Sequence, residues 1–205
     1  MKNIWRIILA GIILVGSPAV NAEEKETKAV QIRWGVVGVE VKHNGKPVTI
    51  QRNQDRENEI VEFYRSTTRG RIQPMNPFAP HAVETIGELE MIDYLVQLSE
   101  GDHSIVVVDS RKPEWLDFSG MIPGAVNSPF TEFKSAESTG AVMRSYFNVT
   151  VGDTWDFSEA KTAVMYCNGN WCPQSPTAIK RLLKMGYPAA KIKYYRGGMQ
   201  SWSSL

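Results

Sequence analysis

Cysteine is scarce in this 205-residue chain: there are two, Cys167 and Cys172. Two thiols cannot build a disulfide framework for a domain of this size, so a hydrophobic core must hold the fold. Histidine is nearly as rare, and His43, His81 and His103 stand at no metal-ligand spacing; no metal and no other cofactor is expected. Charge of one sign is also missing. The formal net charge is +1, which gives no support for nucleic-acid binding. Past the N-terminus no apolar run is long enough to cross a bilayer.

What is there begins with a segment built for export. Lys2 and Arg6 precede an apolar stretch from Ile7 to Val15, and Val20-Asn21-Ala22 offers small residues before Glu23. This pattern predicts a cleaved secretory signal over residues 1–22, in the manner of a bacterial periplasmic protein; the apolar stretch is short for a permanent anchor. Its removal takes two cations and no anion, leaving one more acidic than basic side chain, and no membrane association is expected afterwards. In an oxidising compartment a close cysteine pair either bridges or is kept reduced for a purpose.

Residues 23–83 read as a β-rich extension and connector. After a charged leader, Val37, Val39 and Val41 alternate with polar or small residues, as do Val48 and Ile50, and Asn44-Gly45 between the runs predicts a hairpin. A weak helical signal falls in residues 53–64. Arg65, Arg69, Arg71 and three prolines then mark an irregular connector.

From residue 84 to 205 strands alternate with helices. Thr85-Ile86-Gly87-Glu88 has the form of a capping box, with Ile86, Leu89, Ile92 and Leu95 at helical spacing behind it. Ile105 to Val108 and Thr162 to Tyr166 read as strands buried on both faces. Ala125 to Asn127 and Ile192 to Tyr195 read as further strands. Ala178, Ile179, Leu182 and Leu183 form one helix stripe closed by Gly186. The order implies an α/β fold, a parallel sheet with helices on both faces. In such sheets ligands sit beyond the carboxyl ends of the strands.

Cys167 stands at such an end, followed by Asn168-Gly169-Asn170-Trp171-Cys172-Pro173 and a helix opening near Ser175. Backbone N–H groups and a positive helix end facing the sulfur favour its thiolate. An unperturbed cysteine is only about 3% thiolate at neutral pH, so this placement makes a reactive group. Cys172 is open to two readings. It is a structural partner, because a short loop can curl its ends to within disulfide reach, or a resolving thiol that attacks a sulfur species on Cys167. Either way an exposed, strained Cys167–Cys172 bridge is expected in the oxidised protein. Arg111 and Arg196 are candidates to lend positive potential to the mouth of the site. Asp109 either orients the loop or accepts hydrogen bonds from its own turn.

Four segments resemble the rhodanese-like domain family, in the expected order over residues 84–205. They are Val108-Asp109-Ser110-Arg111, Gly120-Met121-Ile122-Pro123-Gly124-Ala125-Val126-Asn127, Tyr166-Cys167 and Tyr195-Arg196-Gly197-Gly198-Met199-Gln200-Ser201-Trp202. The resemblance implies a sulfurtransferase. Cys167 would hold sulfane sulfur as a persulfide and pass it from a small sulfur donor to a thiol acceptor. Asn168, Gly169, Asn170 and Trp171 would bind the substrate, and Cys172 would resolve or protect Cys167. The chain departs from the family pattern in having no cation from Asn168 to Gln174, a longer loop, and Met121 where histidine is frequent. These departures point away from thiosulfate as the best donor. Two other functions use the same residues: a thiol–disulfide redox protein built on the pair, and a non-enzymatic module that docks a periplasmic protein partner.

Overall fold

The computed structural model describes residues 29–66 and 69–205; the secretory signal read over residues 1–22 lies outside the described residues. The hairpin forms as its pattern requires. Strands β1 (Gly38–His43) and β2 (Lys46–Gln51) pair antiparallel, with His43 opposite Lys46. Between them Asn44 and Gly45 both take positive φ, 50° and 76°, the conformation a two-residue hairpin turn demands. The weak helical signal resolves into a single turn, α1 (Glu62–Arg65).

The remaining strands are β3 (Glu84–Ile86), β4 (Ile105–Asp109), β5 (Val126–Asn127), β6 (Thr162–Tyr166) and β7 (Ile192–Tyr195). They form one parallel sheet in the order β3-β7-β6-β4-β5. Helices are α2 (Glu88–Ser99), α3 (Glu114–Ser119), α4 (Ala136–Tyr146), α5 (Gln174–Lys184) and α6 (Gly198–Trp202). Strand alternation divides the apolar side chains between two cores. Val106, Val108, Ala163, Met165, Ile192 and Tyr194 face α4 and α5. Ile105, Val107, Val164, Tyr166 and Tyr195 face α2, α6 and the hairpin. Helices therefore cover both faces, and β6 sits in the middle of the sheet.

Two local expectations shift. Thr85 does not cap a helix: it lies in β3, and its hydroxyl donates to the Met75 carbonyl. The helix starts later, where Gly87 N–H donates to Glu90 Oε2 at 3.0 Å. Glu90, three residues into the turn, thus does what the Thr85 motif suggested two residues too early. Helices α3 and α4 carried no strong sequence signal. Helix α4 holds small and polar residues, and Ser135 caps it by accepting from Ser138 N.

The hairpin is docked on the α/β unit. Lys42 N donates to Ser99 Oγ at 2.8 Å, and Gly124 N donates to His43 Nδ1 at 3.0 Å. Val41 and Ile50 share a core with Met91, Ile92 and Leu95 of α2. Among the described residues no helix is long and apolar enough to cross a membrane.

Candidate active site

Strand β6 ends at Tyr166, so Cys167 is the first residue beyond the carboxyl end of the central strand, and α5 opens seven residues later at Gln174. The turn is held from below by α6. Met199 N donates to Cys167 O and Gln200 N to Asn168 O, both at 2.9 Å. Gly198 makes this approach possible. It sits at φ +55°, and a Cβ there would lie 2.3 Å from the Cys167 carbonyl oxygen, so no side chain fits. Within the loop, Cys172 N donates to Gly169 O at 2.9 Å.

The two thiols are free and buried, Cys167 at 1% exposure and Cys172 at 2%. In this reduced form the pair is buried rather than exposed as expected, the loop folding both sulfurs inward. In its neutral form Cys167 Sγ donates to Cys172 O at 3.4 Å. Burial pushes the Cys167 pKa up. Hydrogen bonds from the Cys172 thiol, the Ser175 hydroxyl and the Ser175 and Gly169 amides push it down and prevail, so it lies below that of an ordinary thiol. Cys172 moves the other way: donation to Cys167 and burial keep it protonated, against weaker help from the Gln174 and Asn168 amides. Of the two sulfurs, Cys167 is the one that ionises more readily, and Cys172 is its donor.

The residues expected to bind substrate divide into groups. Gly169 contributes its amide to Cys167. Asn168 is buried, and its Oδ1 accepts from Tyr64 OH at 2.9 Å rather than facing a ligand. Asn170 and Trp171 line a cleft of about 430 Å³ together with Gly70, Ile72, Gln200 and Ser201. Among the described residues this lining carries no charged side chain.

Arg111 is not at the mouth. Its side chain is fully buried in a paired fork with Asp109: Nη2 to Oδ2 is 2.6 Å and Nε to Oδ1 is 2.9 Å. Its remaining donors go to Ser119 Oγ at 2.8 Å, Gly120 O at 2.6 Å and Tyr64 OH at 3.4 Å. A buried guanidinium must be satisfied in this way, and the carboxylate that does so lies two residues back on β4. Asp109 also accepts from Arg111 N, so it serves its own turn. Arg196 is half-buried and spends its fork on the Gln73 carbonyl, at 3.0 and 2.8 Å.

Gln73 belongs to the connector strap, residues 69–80, which runs beside the cysteine loop. Its N–H donates to Asn170 O at 2.8 Å, and Gly70 rests against the Trp171 backbone and ring. Helix α1 closes the adjoining side. Phe63 meets Trp171 with ring centroids 5.8 Å apart, and the Arg69 guanidinium lies 3.8 Å from the Phe63 centroid. Gln200 links these parts, accepting from Trp171 Nε1 at 3.0 Å and donating to Tyr64 O at 2.8 Å. Tyr64, Gln73 and Gln200 are thus site residues that sequence reasoning missed.

Residues 91–205 match the model of the rhodanese-like domain, and the protein belongs to that family. Among curated proteins none matches the chain. It is similar to the solved structure of a single-domain sulfurtransferase from Saccharomyces cerevisiae, at 16% identity over 61% of this chain and 92% of that one, with a TM-score of 0.41. It is likewise similar to a human single-domain sulfurtransferase, at 22% identity over 59% and 96% of the two chains, with a TM-score of 0.39. An As-Sb reductase from Leishmania major gives 21% identity over 58% and 76%, with a TM-score of 0.42.

Two outcomes follow from this geometry. Arg111→Met strands the Asp109 carboxylate in the core and should cost about 3–5 kcal/mol in urea unfolding; a variant of unchanged stability would restore Arg111 as a free surface cation. The ultraviolet thiolate band lost in Cys167→Ser should titrate at a pH below that of ordinary cysteine, about 8.5. The sign follows from the lowered pKa: the anion persists as pH falls past the ordinary value and is protonated only below it. A midpoint at or above the ordinary value would contradict the donor arrangement.

Proposed function

We propose that the protein is an exported rhodanese-like sulfurtransferase that carries sulfane sulfur as a persulfide on Cys167. The observation that carries this reading is the paired environment of the thiols in a chain of this family: Cys167 is the group made anionic, and Cys172 is kept as its donor. In the first step the Cys167 thiolate attacks the sulfane sulfur of a donor. The S–S bond within the donor breaks, and the leaving group departs with its electron pair; for thiosulfate it would be sulfite. The product is a Cys167 persulfide anion, held where the thiolate was held. An acceptor thiolate then attacks the outer sulfur, takes it as its own persulfide, and returns Cys167 to the thiolate.

Cys172 has a place in the same cycle. If its thiol attacks the Cys167 sulfur of the persulfide, a Cys167–Cys172 disulfide forms and hydrosulfide leaves, with atoms and charge balanced. A reducing thiol is then needed to restore the pair. The bridge would close a ring too small to constrain the unfolded chain much, so its contribution to stability should fall at or below the low end of about 2–4 kcal/mol. A redox protein using this dithiol couple without carrying sulfur remains the second reading, supported by the proximity of the two buried thiols. Export through residues 1–22 places either activity in the periplasm.

The donor is best sought among molecules larger and less charged than thiosulfate. The cleft beside Trp171 has a neutral lining. Arg111 is occupied by Asp109, and Arg196 by Gln73. Transfer of sulfur to cyanide or to a small thiol should fall to background in Cys167→Ser, because a hydroxyl cannot carry a persulfide. Cys172→Ser should retain transfer but accumulate sulfur or mixed disulfide on Cys167. Thiosulfate should be the poorer donor in both the parent and Cys172→Ser. Transfer surviving in Cys167→Ser would remove the proposed nucleophile, and a reversible dithiol couple with no sulfur transfer would select the redox reading.

A further inference from the structure

Two buried hydroxyls on the Cys167 side of the sheet, Ser110 Oγ and Tyr194 OH, have no hydrogen-bond partner. Buried polar groups are almost always paired, so unpaired ones on the strands that flank the cysteine call for a cause. Their positions are set by the sheet. Asp109 is opposite Tyr166 in the β4–β6 register, which brings Ser110 and Cys167 side by side one residue beyond the paired strands. Met165 is opposite Tyr194 in the β6–β7 register. Side chains alternate along a strand, so Tyr194, Met165 and Cys167 lie on the same face. Tyr194 is 0% exposed, and Phe78 packs edge-on against its ring at 5.3 Å. Ser175, in the first turn of α5, already serves the sulfur with its hydroxyl and amide.

The Cys167 thiolate already has its donors: the Cys172 thiol, the Ser175 hydroxyl, and the Ser175 and Gly169 amides. Tyr194 is not among them, yet its hydroxyl is held in the protonated form by burial first and by the negative charge of the cysteine pair next, against the weaker pull of Arg196. A protonated, unpartnered donor thus stands beyond the first ring around the sulfur. A second sulfur atom added to Cys167 moves the anionic charge outward by one S–S bond, and that terminal anion needs donors of its own.

Resting on the proposed sulfur transfer, we propose that the Tyr194 hydroxyl is the hydrogen-bond donor for the terminal sulfur of the Cys167 persulfide, with Ser110 beside it. Neutral hydroxyls on the sheet would thereby serve where this loop carries no cation. The titratable and charged groups around the sulfur are Cys172 from the loop, Tyr194 from β7 and Arg196 just past it. The strap contributes the apolar Phe78. Selectivity is the signature of this arrangement: Tyr194 acts on the persulfide and not on the reduced thiol.

The test uses the full chain with Tyr194→Phe, which keeps the ring and its packing against Phe78. After loading with a sulfane donor, the Cys167 persulfide is followed by intact mass during incubation in buffer and on addition of a small thiol. The expected result is a persulfide lost about tenfold faster than in the parent, roughly the worth of one hydrogen bond to a charged acceptor. The thiolate titration of the reduced variant should be unchanged. Equal persulfide lifetimes, or a shift in the reduced thiolate titration as large as the change in lifetime, would overturn the proposal. A parent that never takes up sulfur would instead overturn the sulfurtransferase reading. Should Tyr194→Phe not fold, carbon-13 labelling of the tyrosine ring Cζ in the parent decides the matter. One of the seven tyrosine signals should move on loading and stay fixed in Cys167→Ser; no moving signal would overturn the assignment.

Discussion

Placing a sulfur anion out of reach of water governs the rest of this structure. Burial alone raises the pKa of Cys167, because an ion loses its hydration when it enters an apolar interior. The fold answers with fixed donors rather than with a cation. One amide, that of Gly169, is aimed by the loop, the amide and hydroxyl of Ser175 by the first turn of α5, and a thiol proton by Cys172. Each depends on the backbone path from the end of β6 into α5. That path is fixed in turn by the amides of α6 beneath it and by the contact that only Gly198 permits. A loop free to relax would lose the alignment and, with it, the ionised thiol.

The extension preceding the sheet is built into the same site. Tyr64 reaches Asn168 through its hydroxyl and Gln200 through its carbonyl. Gln73 bridges Asn170 and Arg196. These bonds join α1 and the strap to both sides of the cysteine loop, and Phe63 extends the contact to Trp171. The cysteine that follows β6, Cys167, is 1% exposed beneath this loop.

Much of the architecture was legible because it rests on local pattern. Continuous apolar runs marked β4 and β6, the Asn44-Gly45 turn marked the hairpin, and the spacing of Ala178, Ile179 and Leu182 marked α5. Cys167 was legible because a strand end and a helix start bracket it in sequence. Position within the site was harder to read. Arg111 looked like a surface cation because nothing local shows that its guanidinium turns back onto Asp109. Tyr64 is 104 residues from Asn168 in sequence, and no periodicity reports such a pairing. Thr85 mimicked a helix cap, but pairing of β3 with β7 claimed its backbone first, a long-range contact overriding a short motif.

The claim that Cys167 is the sulfur carrier is tested most directly by intact mass and peptide mapping of the protein after brief exposure to a sulfane donor without reductant. The account predicts a gain of one sulfur, mapped to the peptide containing Cys167. In the Cys172→Ser variant the same gain should persist for longer. Loss of two hydrogens with no sulfur gained at any donor concentration, in the parent and with no adduct in Cys172→Ser, would contradict it.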